Sequence, residues 1–127
     1  MSKEVIATTN APAAVGPYSQ AIKLNDLLFC SGQIALDPAT GALVGSDVKT
    51  QTEQVMKNIS AVLAAAGASF DDVVKTTCFL TDINDFAEFN QIYGQYFTGK
   101  PARSCVAVSA LPKGAVVEVE VIAEVKK

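Results

Sequence analysis

Hydrophobic and polar positions change period several times along the chain, and each change marks an element. The clearest stretch is Val116 to Val125. Val117, Val119, Val121, Ala123 and Val125 fall on one face, and Glu118, Glu120 and Glu124 fall on the other with Val116 and Ile122. Period two of this kind predicts a long strand with one face in a core. Val73 to Leu80 alternates as well, with Val74, Thr76, Cys78 and Leu80 against Val73, Lys75, Thr77 and Phe79. Pro101 to Val108 reads as a strand that places Arg103, Cys105 and Ala107 on one face and Ser104, Val106 and Val108 on the other. Ala21 to Leu24 and Leu27 to Ile34 flank Asn25-Asp26, which predicts a hairpin with a two-residue turn. Its second strand is nearly all apolar, so it should be central or covered on both faces. Gly32 within that strand predicts a bulge or a close backbone approach. Lys3 to Ala7 reads as a short edge strand.

Elsewhere the period is helical. Ser46 or Asp47 can cap a helix running to about Ala66, with Gly67 as its stop. Val48, Gln51, Val55, Ile59, Val62, Leu63 and Ala66 form its stripe, and Lys49, Glu53, Lys57 and Asn58 are read as lying off it. Asp82 or Asn84 can cap a second helix, about Asp85 to Phe97. Its aromatic stripe of Phe86, Phe89, Tyr93, Tyr96 and Phe97 reads as core packing rather than as a platform for bases. Gly99 ends this helix and Pro101 prevents its resumption. Gly16-Pro17-Tyr18-Ser19-Gln20 reads as a turn with a half-buried tyrosine. The order β, β, β, α, β, α, β, β lacks strict alternation. It predicts the α+β class, a mixed β-sheet with two helices packed on one face. The other face then needs a partner.

Composition narrows the function. The 127 residues fit a single domain, 1–127. Charged residues make up only 18%, which is low for a small protein and again points to surface covered by other subunits. The net charge of -3 and the lack of a Lys/Arg cluster argue against nucleic acid. There is no histidine, which removes imidazole metal sites and Ser-His-Asp triads. Cys30, Cys78 and Cys105 lie far apart with no metal-binding spacing, which predicts a reducing compartment and no metal. The N-terminus has no signal-peptide core and no apolar run could span a bilayer, so a soluble cytoplasmic protein is expected, with no membrane partner.

Arg103 is the main chemical anomaly, a guanidinium on an otherwise small, apolar strand face. Its planar fork fits a carboxylate with two parallel hydrogen bonds. A structural ion pair with one of the glutamates would use the same chemistry. Glu118, Glu120 and Glu124 read as a solvent-facing row, a reading that need not cover all of them.

Five segments together resemble the YjgF/RidA (Rid) family, most closely its RidA branch. They are AAVGPYSQ at Ala13 to Gln20, SGQI at Ser31 to Ile34, VKTTCFLTDINDFAEFN at Val74 to Asn90, PARSCV at Pro101 to Val106, and LPKGAVVEVEVIA at Leu111 to Ala123. The resemblance covers nearly the whole chain. It implies a chorismate-mutase-like fold and a homotrimer with clefts between subunits. It also implies hydrolysis of 2-imino acids or their enamine tautomers, such as 2-iminobutanoate and 2-iminopropanoate, to 2-keto acids and ammonia. PLP-dependent dehydratases would release these substrates. Arg103 matches the residue that grips the substrate carboxylate, and Glu118 the one that positions water. Cys105, Tyr18, Ser31, Gly32 and Asn90 match positions lining the cleft. No cofactor is implied. The chain departs from the family pattern at Thr98-Gly99-Lys100, shorter than in many members, and at Cys30, where threonine or valine is more usual. Two other readings stay open: a non-catalytic binding protein for small 2-keto acids or amino acids, and a ribonuclease or translation inhibitor.

Overall fold

The structure is a computed structural model that describes residues 3–125; Met1, Ser2, Lys126 and Lys127 lie outside the described residues. Six strands form one sheet. In chain order they are β1 (Lys3–Ile6), β2 (Ala21–Leu24), β3 (Leu27–Cys30), β4 (Val73–Leu80), β5 (Ala102–Ala107) and β6 (Val117–Glu124). Across the sheet they run β1-β2-β3-β6-β4-β5. All neighbours are antiparallel except β4 and β5, which are parallel because a helix carries the chain between them. The two helices are α1 (Val48–Ala65) and α2 (Phe86–Tyr96). They cover one face, as the α+β expectation held. The core lies between them and Thr76, Cys78, Leu80, Val117, Val119, Val121 and Ala123.

The helix ends follow from specific caps. Asp47 supplies the cap of α1, where its Oδ2 accepts from the Thr50 N–H at 2.9 Å. Gly67, at φ +77°, stops the helix in the left-handed region that glycine adopts at least cost. Asp82 accepts from the Asn84 N–H at 2.9 Å and closes a 3-10 turn over Ile83–Asp85. That tight turn makes α2 begin at Phe86 rather than Asp85.

Three expectations need correction. The strand expected over Leu27 to Ile34 ends at Cys30. The chain regains β6 only at an isolated bridge, Gln33 to Val119. Between the pairs Phe29–Ile122 and Gln33–Val119, residues 30–32 face residues 120 and 121, so one extra residue is accommodated. The bulge expected around Gly32 is therefore present. As expected, β3 is interior to the sheet, and its Leu27 and Phe29 stay exposed on the face away from the helices. Second, Val73 is buried and Val74 exposed, the reverse of the expected phase beyond Lys75. A bulge between Val73 and Lys75, opposite Ala123 and Ile122, shifts the alternation by one residue. Third, Asn58 is fully buried in the stripe of α1. Its Nδ2 donates to the carbonyls of Ile34 at 3.1 Å and Leu36 at 3.0 Å, and its Oδ1 accepts from Gln54 Nε2. The segment after β3 is thereby tied to the helix.

The face away from the helices is open. Val5, Ile22, Phe29 and Ile122 form one cross-strand row on it. Val5 is 59% exposed and Phe29 41%.

Two buried side chains on α1 separate the worth of a satisfied polar group from the cost of an orphan. Asn58→Ala leaves two carbonyls without their donor and should destabilise by about 2–4 kcal/mol. The Thr52 hydroxyl is buried with no hydrogen-bond partner, so Thr52→Val should be neutral or stabilising by up to about 1 kcal/mol. Urea melts of both variants check the pair; a Thr52→Val loss as large as that of Asn58→Ala would refute this account.

Candidate active site

Strand register divides the expected site residues between the two faces of the sheet. Arg103 pairs with Thr76 and Cys105 with Cys78, so both lie on the helix face. Glu118 pairs with Phe79, one step out of phase, and lies on the open face. The chain therefore carries two candidate half-sites.

The first half-site is built on β5 and α2. Phe86, Asn90 and Tyr93 recur at helical spacing and meet Arg103. Its Nη1 donates to Asn90 Oδ1 at 2.6 Å. Its guanidinium carbon lies 4.7 Å from the Tyr93 ring centre and 5.4 Å from that of Phe86. Such cation–π contacts are worth about 0.5–2 kcal/mol each and fix the plane of the fork. Tyr93 is fixed in turn by a 2.8 Å hydrogen bond between its hydroxyl and Thr76 Oγ1. Among the described residues no carboxylate lies within ion-pair distance of Arg103, which rules out the internal glutamate pair. The remaining guanidinium donors are not committed to a carboxylate. A cavity of about 530 Å³ opens beside them, lined by Asn90, Tyr93, Thr98, Lys100 and Pro101 among others.

The roles of Phe86 and Tyr93 go beyond the core packing expected of them. The signal was Asn90, a polar residue set between two aromatics on the same stripe. Cys105 sits beside Arg103 on the same strand. Burial pushes its thiol above the ordinary value, and the Arg103 charge offsets this only in part. Cys78, deeper in the sheet, is pushed up to about 12, chiefly by burial. Neither thiol is primed as a thiolate.

The second half-site gathers Tyr18, Ser31, Gly32 and Glu118 around a cavity of about 620 Å³, with Lys113 at its rim. Ser31 is held by its N–H to Gln20 O at 2.9 Å and its Oγ to Ser19 O at 2.6 Å. Gln20, a residue the sequence reading passed over, pins the loop before Tyr18. Its Nε2 donates to Thr8 O and Pro12 O, and its Oε1 accepts from the Thr8 N–H. Tyr18 is 52% exposed, the half-buried state expected. Glu118 is half-buried. Burial, reinforced by Glu120 on the same face, raises its carboxyl above the ordinary value. No hydrogen bond to this carboxylate is present among the described residues. It can hold or pass a proton at the cavity wall.

Residues 8–125 match the family described as Endoribonuclease L-PSP. The chain belongs to this family, which is the YjgF/RidA family. It is similar to a mouse protein named 2-iminobutanoate/2-iminopropanoate deaminase, 50% identical over 122 residues that cover 95% of this chain and 90% of that one. A RutC family protein of Pyrococcus horikoshii is 56% identical over 122 residues, 95% of this chain and 97% of the other. Among solved structures, the Rid-family protein YyfA of Yersinia pestis is 59% identical and superposes with a TM-score of 0.95, covering 98% of this chain and 100% of its own. The fold of this YjgF/RidA chain is thus that of its relatives. No helix among its described residues is long and apolar enough to cross a membrane.

The Glu118 environment has a consequence for stability. The folded chain holds this proton more tightly than the unfolded one, so ionisation costs stability as pH rises through the ordinary carboxylate range. Glu118→Gln removes that cost. The variant should melt at or above the parent at neutral pH, with the advantage vanishing below about pH 4, where both states keep the proton. Melting curves across pH check this, and a variant that is less stable at pH 7 would contradict it.

Proposed function

We propose that this protein is a deaminase of reactive 2-imino acids, acting on 2-iminobutanoate and 2-iminopropanoate at clefts between the subunits of a homotrimer. One observation carries the reading. Arg103 and Glu118 lie on opposite faces of one sheet, and each opens onto its own cavity. A second copy whose Glu118 face meets the first copy's Arg103 edge completes one site from two halves. The apolar row of Val5, Phe29 and their neighbours favours such a contact. The relatives' deaminase name supports the substrate class.

The chemistry asks little of the protein. The substrate carboxylate takes the free side of the Arg103 fork, and Asn90, Tyr93 and Phe86 hold that fork in place. Water adds to the C=N carbon while Glu118 accepts a proton from it. The resulting carbinolamine receives a proton on nitrogen, and ammonia leaves as the carbonyl forms. Enhancements of ten- to a thousandfold need only about 1.4–4 kcal/mol, within reach of orientation and one proton carrier. PLP-dependent dehydratases are the sources of such imines in this reading.

Turnover is tested by generating 2-iminobutanoate in a coupled assay and following its decay. Arg103→Ala should lose nearly all activity, and Arg103→Lys should fail almost as badly because it keeps the charge without the fork. Both should remain folded. Cys105→Ser should keep substantial activity, since the thiol is raised and water attacks directly. Mixing two inactive variants, Arg103→Ala and Glu118→Ala, tests the shared site. Random hybrids restore both groups in about a quarter of clefts, so activity should return to about that fraction of the parent. No recovery from verified hybrids would place both groups in one subunit's site and sink the composite reading. A chain that binds 2-oxobutanoate but leaves imine decay unchanged is a binding protein, and cleavage of RNA by a nuclease-free preparation would favour the ribonuclease reading.

A further inference from the structure

Gly32 has no positive φ, so no left-handed conformation calls for glycine there. What it lacks is room. A Cβ built there would lie 2.8 Å from Glu118 Cδ and 3.1 Å from Cγ, and would overlap Oε2. Real Cβ atoms essentially never come this close, so something must shift. The backbone is clamped on both sides. Before Gly32, Ser31 is held to Gln20 O and Ser19 O. After it, Gln33 and Val119 exchange both N–H···O bonds, at 2.8 and 3.1 Å. The freer group is the Glu118 carboxylate, which has no hydrogen bond among the described residues and faces the cavity.

From this geometry we infer that Gly32 is a positioning residue: its missing side chain reserves the place of the Glu118 carboxylate against the bulged backbone of the cavity wall. This rests on the deaminase reading for its kinetic consequence but not for its structural one. The bulge brings the backbone under the carboxylate, and glycine lets the carboxylate stay there. Any larger residue at this position pushes the proton carrier outward into the cavity. The substrate carboxylate, held by Arg103, would be untouched, so the loss falls on turnover rather than on binding.

The test is Gly32→Ala, made in the parent and in Glu118→Ala. In the parent background kcat should fall about 10- to 100-fold, the scale of a displacement of about 1 Å, with KM little changed. A carbon-detected NMR titration should show the Glu118 carboxyl moving down toward the ordinary range as it leaves its half-buried place. Any change in melting temperature should appear in the parent background only and be absent in Glu118→Ala, because the atoms that clash are gone. The melting and titration arms need no turnover, so they judge the inference even if the protein proves not to hydrolyse imines. Unchanged kcat with an unshifted Glu118 titration would overturn it. So would a raised KM at constant kcat, which would mean that residue 32 acts on the substrate itself. If Gly32→Ala fails to fold, folding of the double variant supports the clash, and failure of both shows a backbone need for glycine instead.

Discussion

Side-chain alternation across β4 is the constraint from which the rest follows. Strand residues one step apart point to opposite faces, so a register that puts Thr76 beside Arg103 and Phe79 beside Glu118 separates the two groups by the thickness of the sheet. No rotamer change in one chain can bring them to one small molecule. The helix face has to remain covered to keep Thr76, Cys78 and Leu80 dry. In the proposed reading, a second copy supplies the missing half of the site. The open face and the edge position of β5 leave room for it.

The arginine is held without neutralising it. A carboxylate partner would fix the fork equally well but would consume the donors that make it useful. Here the neutral Asn90 amide takes one donor, and the faces of Tyr93 and Phe86 supply electrostatic attraction from the side. Thr76 anchors Tyr93 from the neighbouring strand, so the orientation of the guanidinium is set by β4, α2 and β5 together. The charge stays available for an anion arriving from outside the chain.

Much of the fold could be read from the sequence wherever one residue pattern allowed one phase. Val117 to Val125 alternates with glutamates, and the structure keeps that phase. Val73-Val74 could not be phased, because the bulge trades one valine for another and leaves no mark in the pattern. Asn58 lies three residues after Val55 and four before Val62, inside the buried stripe. A polar side chain there was assigned to solvent because its partners, the carbonyls of Ile34 and Leu36, lie far away in sequence. At the site, Arg103 stood out by chemistry, while Glu118 was one of three similar glutamates by pattern alone and was singled out by the family resemblance; register sets it at a cavity beside Gly32. The aromatic rings around Arg103 were hidden by their own ordinariness, since the same stripe would serve as core in any helix of this kind.

Both half-sites carry a cost in the isolated chain. Glu118 is half-buried with its carboxylate unpartnered, and Arg103 keeps donors without an acceptor of opposite charge. Groups poised in this way are less favourable than a fully satisfied surface would be. Association would add apolar burial along Val5, Ile22, Phe29 and Ile122 while setting each unsatisfied group opposite the other across a cleft. The two deficits are then complementary: a cation lacking an anion and a proton acceptor lacking a proton. A 2-imino acid presents a carboxylate to the first and, through its attacking water, a proton to the second. In the proposed reading, the features that make the lone chain imperfect are the ones its substrate would complete.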